Sequence, residues 1–163
     1  MSQFNTLKNK IFSLENLKTQ VENWKATGEK VVFTNGCFDI VHQGHIEVLA
    51  RTADLGTKLI IGLNSDSSTQ RLKGKNRPII QEQSRVFLLA AFSFVDAVVL
   101  FSEETPLKLI STLNPDVLAK GGDYEIETIV GHKVVKENGG QVILVPFVDG
   151  FSSTIIIDKI KNA

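Results

Sequence analysis

Lys30-Val31-Val32-Phe33-Thr34-Asn35-Gly36-Cys37-Phe38-Asp39-Ile40-Val41-His42-Gln43-Gly44-His45 is the stretch whose reading decides the fold. Lys30 to Phe33 reads as a buried strand with three apolar residues in succession, and Ile46, Val48, Leu49, Ala53 and Leu55 follow at roughly helical spacing. Two imidazoles, His42 and His45, therefore stand at a helix entrance. There the first backbone N–H groups lack intrahelical partners and the macrodipole is positive, so an anion is favoured before any side chain contributes. Gly36 and Gly44 suit close approach of a ligand to the backbone. Other readings stay open on these residues. The histidines could be structural, or Cys37, Asp39, His42 and His45 could ligate a metal, although the Cys-to-His spacing matches no standard zinc pattern. Cys37 as a nucleophile lacks an identifiable orienting group.

Outward from this run, apolar strands alternate with amphipathic segments, which predicts βα units and a parallel sheet. Lys58 to Leu63 is a second strand. Ser65 caps a short helix through Arg71, and Leu72 to Ile80 is a polar loop punctuated by Gly and Pro. A helix over Gln81 to Phe94 leads into the strand Ala97 to Phe101, and Thr105-Pro106 opens another helix. Val117 to Ala119 is a fourth strand, His132 to Asn138 a helix ended by Gly139-Gly140, and Val142 to Val145 a fifth strand. Ser152 or Ser153 then caps a closing helix to Ile160. The expected fold is α/β, a doubly wound parallel sheet of five strands in the order 3-2-1-4-5. Residues 1–29 stand outside the rhythm as a helical extension, with Ser13 as its cap and Leu14, Leu17, Val21 and Trp24 at helical spacing.

A chain of 163 residues with 42% hydrophobic content suits a single domain over 1–163. Lys+Arg and Asp+Glu number 18 each, which removes any bulk electrostatic drive toward nucleic acid or an anionic membrane. A single cysteine forms no intrachain disulfide and suits a reducing compartment. The start carries no basic segment followed by an apolar core, and no run approaches membrane-spanning length. The expectation is a cytoplasmic protein without nucleic-acid or membrane partners.

Ligands of an open doubly wound sheet bind beyond the carboxyl ends of its strands. Four such loops are polar here: Asn35 to Asp39 with the histidines, Asn64-Ser65-Asp66, Lys120-Gly121-Gly122-Asp123-Tyr124, and Asp149-Gly150-Phe151-Ser152-Ser153-Thr154. Singly, each reads as a cap or a turn. Together they resemble the cytidylyltransferase-like nucleotidyltransferases, marked by His42-Gln43-Gly44-His45 after the first strand and Ser152-Ser153-Thr154 at the last helix. Asn35-Gly36-Cys37-Phe38-Asp39, Asn64-Ser65-Asp66, Arg71-Leu72-Lys73-Gly74, Arg77-Pro78 and Lys120 to Tyr124 are similar to the heptose 1-phosphate adenylyltransferase branch. The similarity covers about residues 30–160. Phe151, Ser153 and the weakly acidic Gln81 to Ser84 depart from the branch's usual residues.

The resemblance implies that a sugar 1-phosphate oxygen attacks the α-phosphorus of ATP, giving an ADP-sugar and pyrophosphate. It implies His42, His45 and Lys73 as catalytic residues. It implies Asn35, Gly36, Cys37, Phe38, Asp39, Gly44, Asn64, Asp66, Lys120, Gly121, Gly122, Asp123, Ser152, Ser153 and Thr154 around the nucleotide, with Phe38 and Asp39 supporting the loop. Arg77 and Arg85 are candidates for the sugar phosphate or, equally, for structural ion pairs. Magnesium would arrive with the triphosphate, without a dedicated protein metal site. That branch often forms the C-terminal half of a bifunctional protein with a sugar kinase. The length here implies a stand-alone adenylyltransferase, expected as a homodimer, working with a separate kinase and phosphatase. Cytidylyl transfer to a polyol phosphate and a non-catalytic nucleotide sensor are the alternatives.

Overall fold

The computed structural model describes residues 2–147 and 150–162. Met1, Val148, Asp149 and Ala163 lie outside the described residues, and with them the Asp149 of the last rim loop. Six parallel strands form the sheet: β1 (Ile11–Phe12), β2 (Val31–Gly36), β3 (Lys58–Asn64), β4 (Ala97–Phe101), β5 (Val117–Gly121) and β6 (Gln141–Val145). Their order is β1-β4-β3-β2-β5-β6. The helices are α1 (Gln3–Lys8), α2 (Leu14–Ala26), α3 (Gln43–Ala53), α4 (Asp66–Lys73), α5 (Glu82–Ala90), α6 (Leu107–Leu113), α7 (His132–Glu137) and α8 (Ser153–Lys161).

The expected five-stranded sheet is corrected to six strands in a different order. Its added edge comes from the segment expected to be purely helical. Ile11 and Phe12 pair with Val98 and Val99 of β4, and Lys10 Nζ donates to the Phe92 carbonyl at 2.9 Å. Residues 1–29 are thus helix, strand and helix rather than a helical extension, with Ser13 Oγ capping α2 by accepting from Asn16 N–H at 3.3 Å. Inside that edge strand the order runs β4-β3-β2-β5-β6.

Strands buried on both faces explain the unbroken apolar runs, since alternate side chains enter opposite layers. Val31, Phe33, Ile60, Ala97, Val99 and Leu118 face α2, α6 and α7, meeting Leu17, Val21, Leu109, Ile110 and Val135. Val32, Leu59, Ile61, Val98, Val117 and Ala119 face the other way, onto Leu49 of α3 and Val86, Leu89 and Ala90 of α5. The pairing of β2 sets the position of the site. It pairs with β3 along six residues, Val31 to Gly36, but with β5 only at Val32 and Phe33. Beyond Phe33 the two strands part, and a crevice opens where the strand order reverses.

Candidate active site

The crevice has a volume of about 810 Å³, within the size range of small-molecule sites. Two helices present their N-termini to it. At α3, His42 is the N-cap and its carbonyl accepts from His45 and Ile46 N–H at 2.9 and 3.2 Å, so the N–H groups of Gln43 and Gly44 have no intrahelical partner. At α8, Ser152 is the N-cap and accepts from Ile155 N–H at 3.1 Å, leaving the N–H groups of Ser153 and Thr154 free of the helix ladder. Ser153 Oγ donates to the Ile40 carbonyl at 3.1 Å. This bond fastens the second helix entrance to the loop that leads into the first.

Inside, the imidazoles of His42 and His45 stack with centroids 3.9 Å apart and planes 29° apart. Phe38 meets His45 edge-on at 5.4 Å, and Phe151 stacks on His42 at 6.2 Å. Gly44 permits this pairing, because a Cβ there would lie 2.9 Å from Phe151 Cβ and 3.2 Å from His42 Nδ1. Gly36 likewise makes room for the Phe38 ring, 2.9 Å from the place a Cβ would take. Phe38 itself holds φ of 44°, a left-handed conformation unfavourable for a bulky residue. The Nδ1 atoms of both histidines are buried without a hydrogen-bond partner among the described residues.

Burial, and then the charge of His42, push the His45 imidazole down to about 4, and burial also lowers His42. The pair is therefore neutral at pH 7. Between pH 6.5, the ordinary value, and about 4 the unfolded chain binds more protons at position 45 than the folded one. The stability contribution of neutral His45 is thus complete above pH 6.5 and lost as pH falls toward 4. Thermal melts of the wild type and His45→Gln should accordingly diverge across that window, with the wild type losing more. Parallel curves would contradict a depressed His45.

Cations approach from both sides. Lys120, at the end of β5, reaches back across the gap to Asn35 Oδ1 at 3.4 Å. Burial holds its ammonium below the ordinary lysine value; Cys37 opposes that shift and the charge of Lys73 adds to it. Lys73 ends α4, two residues beyond the helix limit expected at Arg71, and it is exposed to solvent. Arg77 lines the crevice and its Nε donates to Asp39 Oδ2 at 2.6 Å. Asp39, 2% exposed, also accepts from the N–H groups of Ile79 and Ile80, both at 2.8 Å. Burial alone would raise this carboxyl, but the bonds from Ile80, Ile79 and Arg77 outweigh it and hold the carboxyl below its ordinary value. Asp39 thereby clamps the loop of residues 77–80 onto the loop after β2.

Of the two readings left open for Arg85, its placement favours the structural ion pair. It is 1% exposed, and its guanidinium donates to the carbonyls of Ile80, Cys37 and Asn64 and to Asp66 Oδ1 at 2.7 Å. Its donors are turned onto three backbone segments and one carboxylate, and it does not line the crevice, so nothing in its placement supports contact with the sugar phosphate. Asp66, spent on Arg85, is outside the lining as well, as are Gly122 and Asp123. His42, His45, Lys73, Asn35, Gly36, Cys37, Phe38, Asp39, Gly44, Asn64, Arg77, Lys120, Gly121, Ser152, Ser153 and Thr154 are brought together. Asn64 is turned inward, its Nδ2 donating to Ser68 Oγ at 2.9 Å.

Further residues line the crevice beside the candidates expected from the sequence. Glu104, Thr105 and Pro106 follow β4; in sequence Thr105-Pro106 reads as a helix start, but its loop leaves a strand's carboxyl end as the other four do. Tyr124, Val130, Phe147 and Phe151 add an apolar wall. Among the described residues no group of three or more His, Cys, Asp or Glu side chains is placed to hold a metal, and the commitment of Asp39 to Arg77, Ile79 and Ile80 breaks up the set of ligands weighed for zinc. No described helix is long and apolar enough to cross a membrane.

A family model described as "Cytidylyltransferase-like" matches residues 33–159. The bifunctional protein HldE of Geobacter metallireducens is 54% identical over 154 residues, covering 94% of this chain and 31% of that protein. The bifunctional protein HldE of Citrifermentans bemidjiense is 52% identical over 154 residues, covering 94% of this chain and 32% of that protein. The chain thus spans about a third of the length of these relatives. Among solved structures, the lipopolysaccharide core biosynthesis protein from Thermoplasma volcanium GSS1 superposes with a TM-score of 0.61 at 30% identity, covering 74% of this chain and 98% of that one.

Proposed function

Because this chain belongs to the cytidylyltransferase-like family, we propose that it is an adenylyltransferase that moves AMP from ATP to a sugar 1-phosphate, giving an ADP-sugar and pyrophosphate. The acceptor we favour is D-glycero-D-manno-heptose 1-phosphate. The observation that carries the chemistry is the convergence of two helix N-termini and the stacked, neutral His42 and His45 on one crevice. The resemblance of Asn35 to Asp39 and Lys120 to Tyr124 to heptose 1-phosphate adenylyltransferases supports the acceptor. So does the name of the solved relative, which places that protein in lipopolysaccharide core biosynthesis.

The attacking phosphate oxygen is anionic at neutral pH, so no general base is needed. What must be stabilised is negative charge gathering on the α-phosphoryl oxygens and on the bridging oxygen of the departing pyrophosphate. Fixed donors at the place where that charge develops act without reorganisation during the step. The N–H groups opening α3 and α8, with His42 and His45, supply them. Their neutrality suits this task, since a neutral imidazole donates to an oxyanion without taking up a proton beforehand. Lys73 and Lys120 then hold the triphosphate from opposite walls, and Arg77, oriented by Asp39, faces the acceptor phosphate. The base lies toward Gly121, Tyr124 and Phe147. A divalent ion would be brought in by the triphosphate, would need few protein ligands, and would supply charge neutralisation.

A pyrophosphate-release assay crossing the four nucleoside triphosphates with sugar and polyol phosphates tests the proposal: the largest rate is expected for ATP with heptose 1-phosphate in magnesium. Preference for CTP with a polyol phosphate would move the chain to cytidylyl transfer, and nucleotide binding without turnover would make it a sensor. Lys73→Ala is expected to lower turnover roughly tenfold or more, with an unchanged melting temperature because the side chain is exposed. Wild-type turnover would remove Lys73 from the mechanism.

A further inference from the structure

Two carboxylates line the crevice among the described residues, Asp39 and Glu104. Asp39 is fully engaged by Arg77, Ile79 and Ile80. Glu104 lies in the loop between β4 and α6, exposed, and makes no hydrogen bond or ion pair to another described residue. Its backbone surroundings are nevertheless anchored. Ser65 N–H donates to the Phe101 carbonyl at 2.9 Å, Ser68 Oγ to the Glu103 carbonyl at 3.3 Å, and the Arg71 guanidinium to the Ser102 carbonyl. Glu103 is consumed locally, accepting from Ser102 N–H at 3.1 Å and pairing with Lys108 at 3.1 Å. A firmly held loop thus presents one uncommitted carboxylate to a site otherwise furnished for anions.

An ionised carboxylate only accepts hydrogen bonds, and beside phosphate oxygens it is repelled. Lys73, Arg77 and Lys120 with the two helix entrances are already assigned to the phosphates and the divalent ion to phosphate oxygens, which leaves the hydroxyl donors of the acceptor sugar as the group that a carboxylate here would favour. At the carboxyl end of β4 it lies on the opposite side of β2 from β5 and β6, which lead to Gly121, Tyr124 and Phe147, and beside α4, whose Ser68 and Arg71 bond the carbonyls of Glu103 and Ser102. We propose that Glu104 accepts hydrogen bonds from hydroxyl groups of the acceptor sugar and so selects a polyhydroxylated sugar phosphate over a phosphate ester without them. This rests on the proposed adenylyl transfer only in that the acceptor is a sugar phosphate. A site built to bond a hydroxyl discriminates strongly against analogues lacking it, because its polar group is then left unpaired.

The test is pyrophosphate release by the wild type, Glu104→Gln and Glu104→Ala, with ATP, heptose 1-phosphate and magnesium varied separately. For Glu104→Ala, kcat/KM for the sugar phosphate should fall roughly ten- to hundredfold, the range for a hydrogen bond to a charged group. Glu104→Gln, which keeps one acceptor oxygen, should fall less. The KM for ATP, the magnesium dependence and the melting temperature should not move, and a deoxy-heptose 1-phosphate should be penalised in the wild type but hardly further in Glu104→Ala. A shifted magnesium requirement or an equal loss toward ATP would place Glu104 on the donor side and overturn the proposal, as would unchanged kinetics. Calorimetric titration with heptose 1-phosphate separates the two readings. Wild-type binding without turnover sinks the adenylyl transfer, and weaker binding to Glu104→Ala would still support Glu104, whereas equal binding, or none by the wild type, overturns it.

Discussion

Replacing His45 with alanine should slow the single-turnover rate of adenylyl transfer by roughly a hundred- to thousandfold, the cost of removing one preorganised oxyanion donor, about 2.7–4 kcal/mol of barrier. ATP affinity and melting temperature should change far less. The reason is in the packing: His45 Nδ1 has no hydrogen-bond partner among the described residues, so deleting the ring breaks no hydrogen bond at that atom and removes only the stack on His42 and the edge contact with Phe38. His42→Ala should behave alike, since the two rings stack 3.9 Å apart and line the same crevice. Single-turnover kinetics beside a thermal melt and an ATP titration decide between the roles. Unchanged chemistry with a large fall in melting temperature would make the pair structural.

Arg85→Met should show the opposite signature. Its guanidinium is 1% exposed and ties the carbonyls of Cys37, Asn64 and Ile80 to Asp66. Removing one partner of such a network leaves buried acceptors and a carboxylate unpaired, at about 3–5 kcal/mol. For a chain of this size that is roughly 10 °C of melting temperature. Arg85→Lys should recover only part of the loss, because one ammonium cannot reproduce a planar fork reaching three segments. Chemical denaturation checks both variants. A fully stable Arg85→Met protein with weakened sugar phosphate binding would restore Arg85 to the substrate role that its exposure argues against.

Arg85 marks a boundary of what the sequence discloses. The helix entrance at His42 was legible because a run of apolar residues gives way to Gly36 and then to helical periodicity, and both signals are local. The destination of an arginine is not local. The carbonyls that Arg85 meets belong to residues 5, 21 and 48 positions away along the chain. Arg77 carried the same ambiguity and came out at the crevice, held by an aspartate 38 positions earlier. Ile11 and Phe12 escaped for another reason: two residues between polar helices show no alternation, and only the open edge of β4 makes them a strand. Glu104 carries no signal of its own: the neighbouring Thr105-Pro106 reads as a helix start, although this loop, too, follows a strand's carboxyl end.

The most direct measurement of the central claim follows the α-phosphoryl group itself. With α-labelled ATP, magnesium and heptose 1-phosphate, the label should be recovered in a nucleotide-sugar, one equivalent for each unlabelled pyrophosphate released. Recovery of the label in free ADP or AMP without a sugar adduct, or transfer from CTP in preference to ATP, would contradict it.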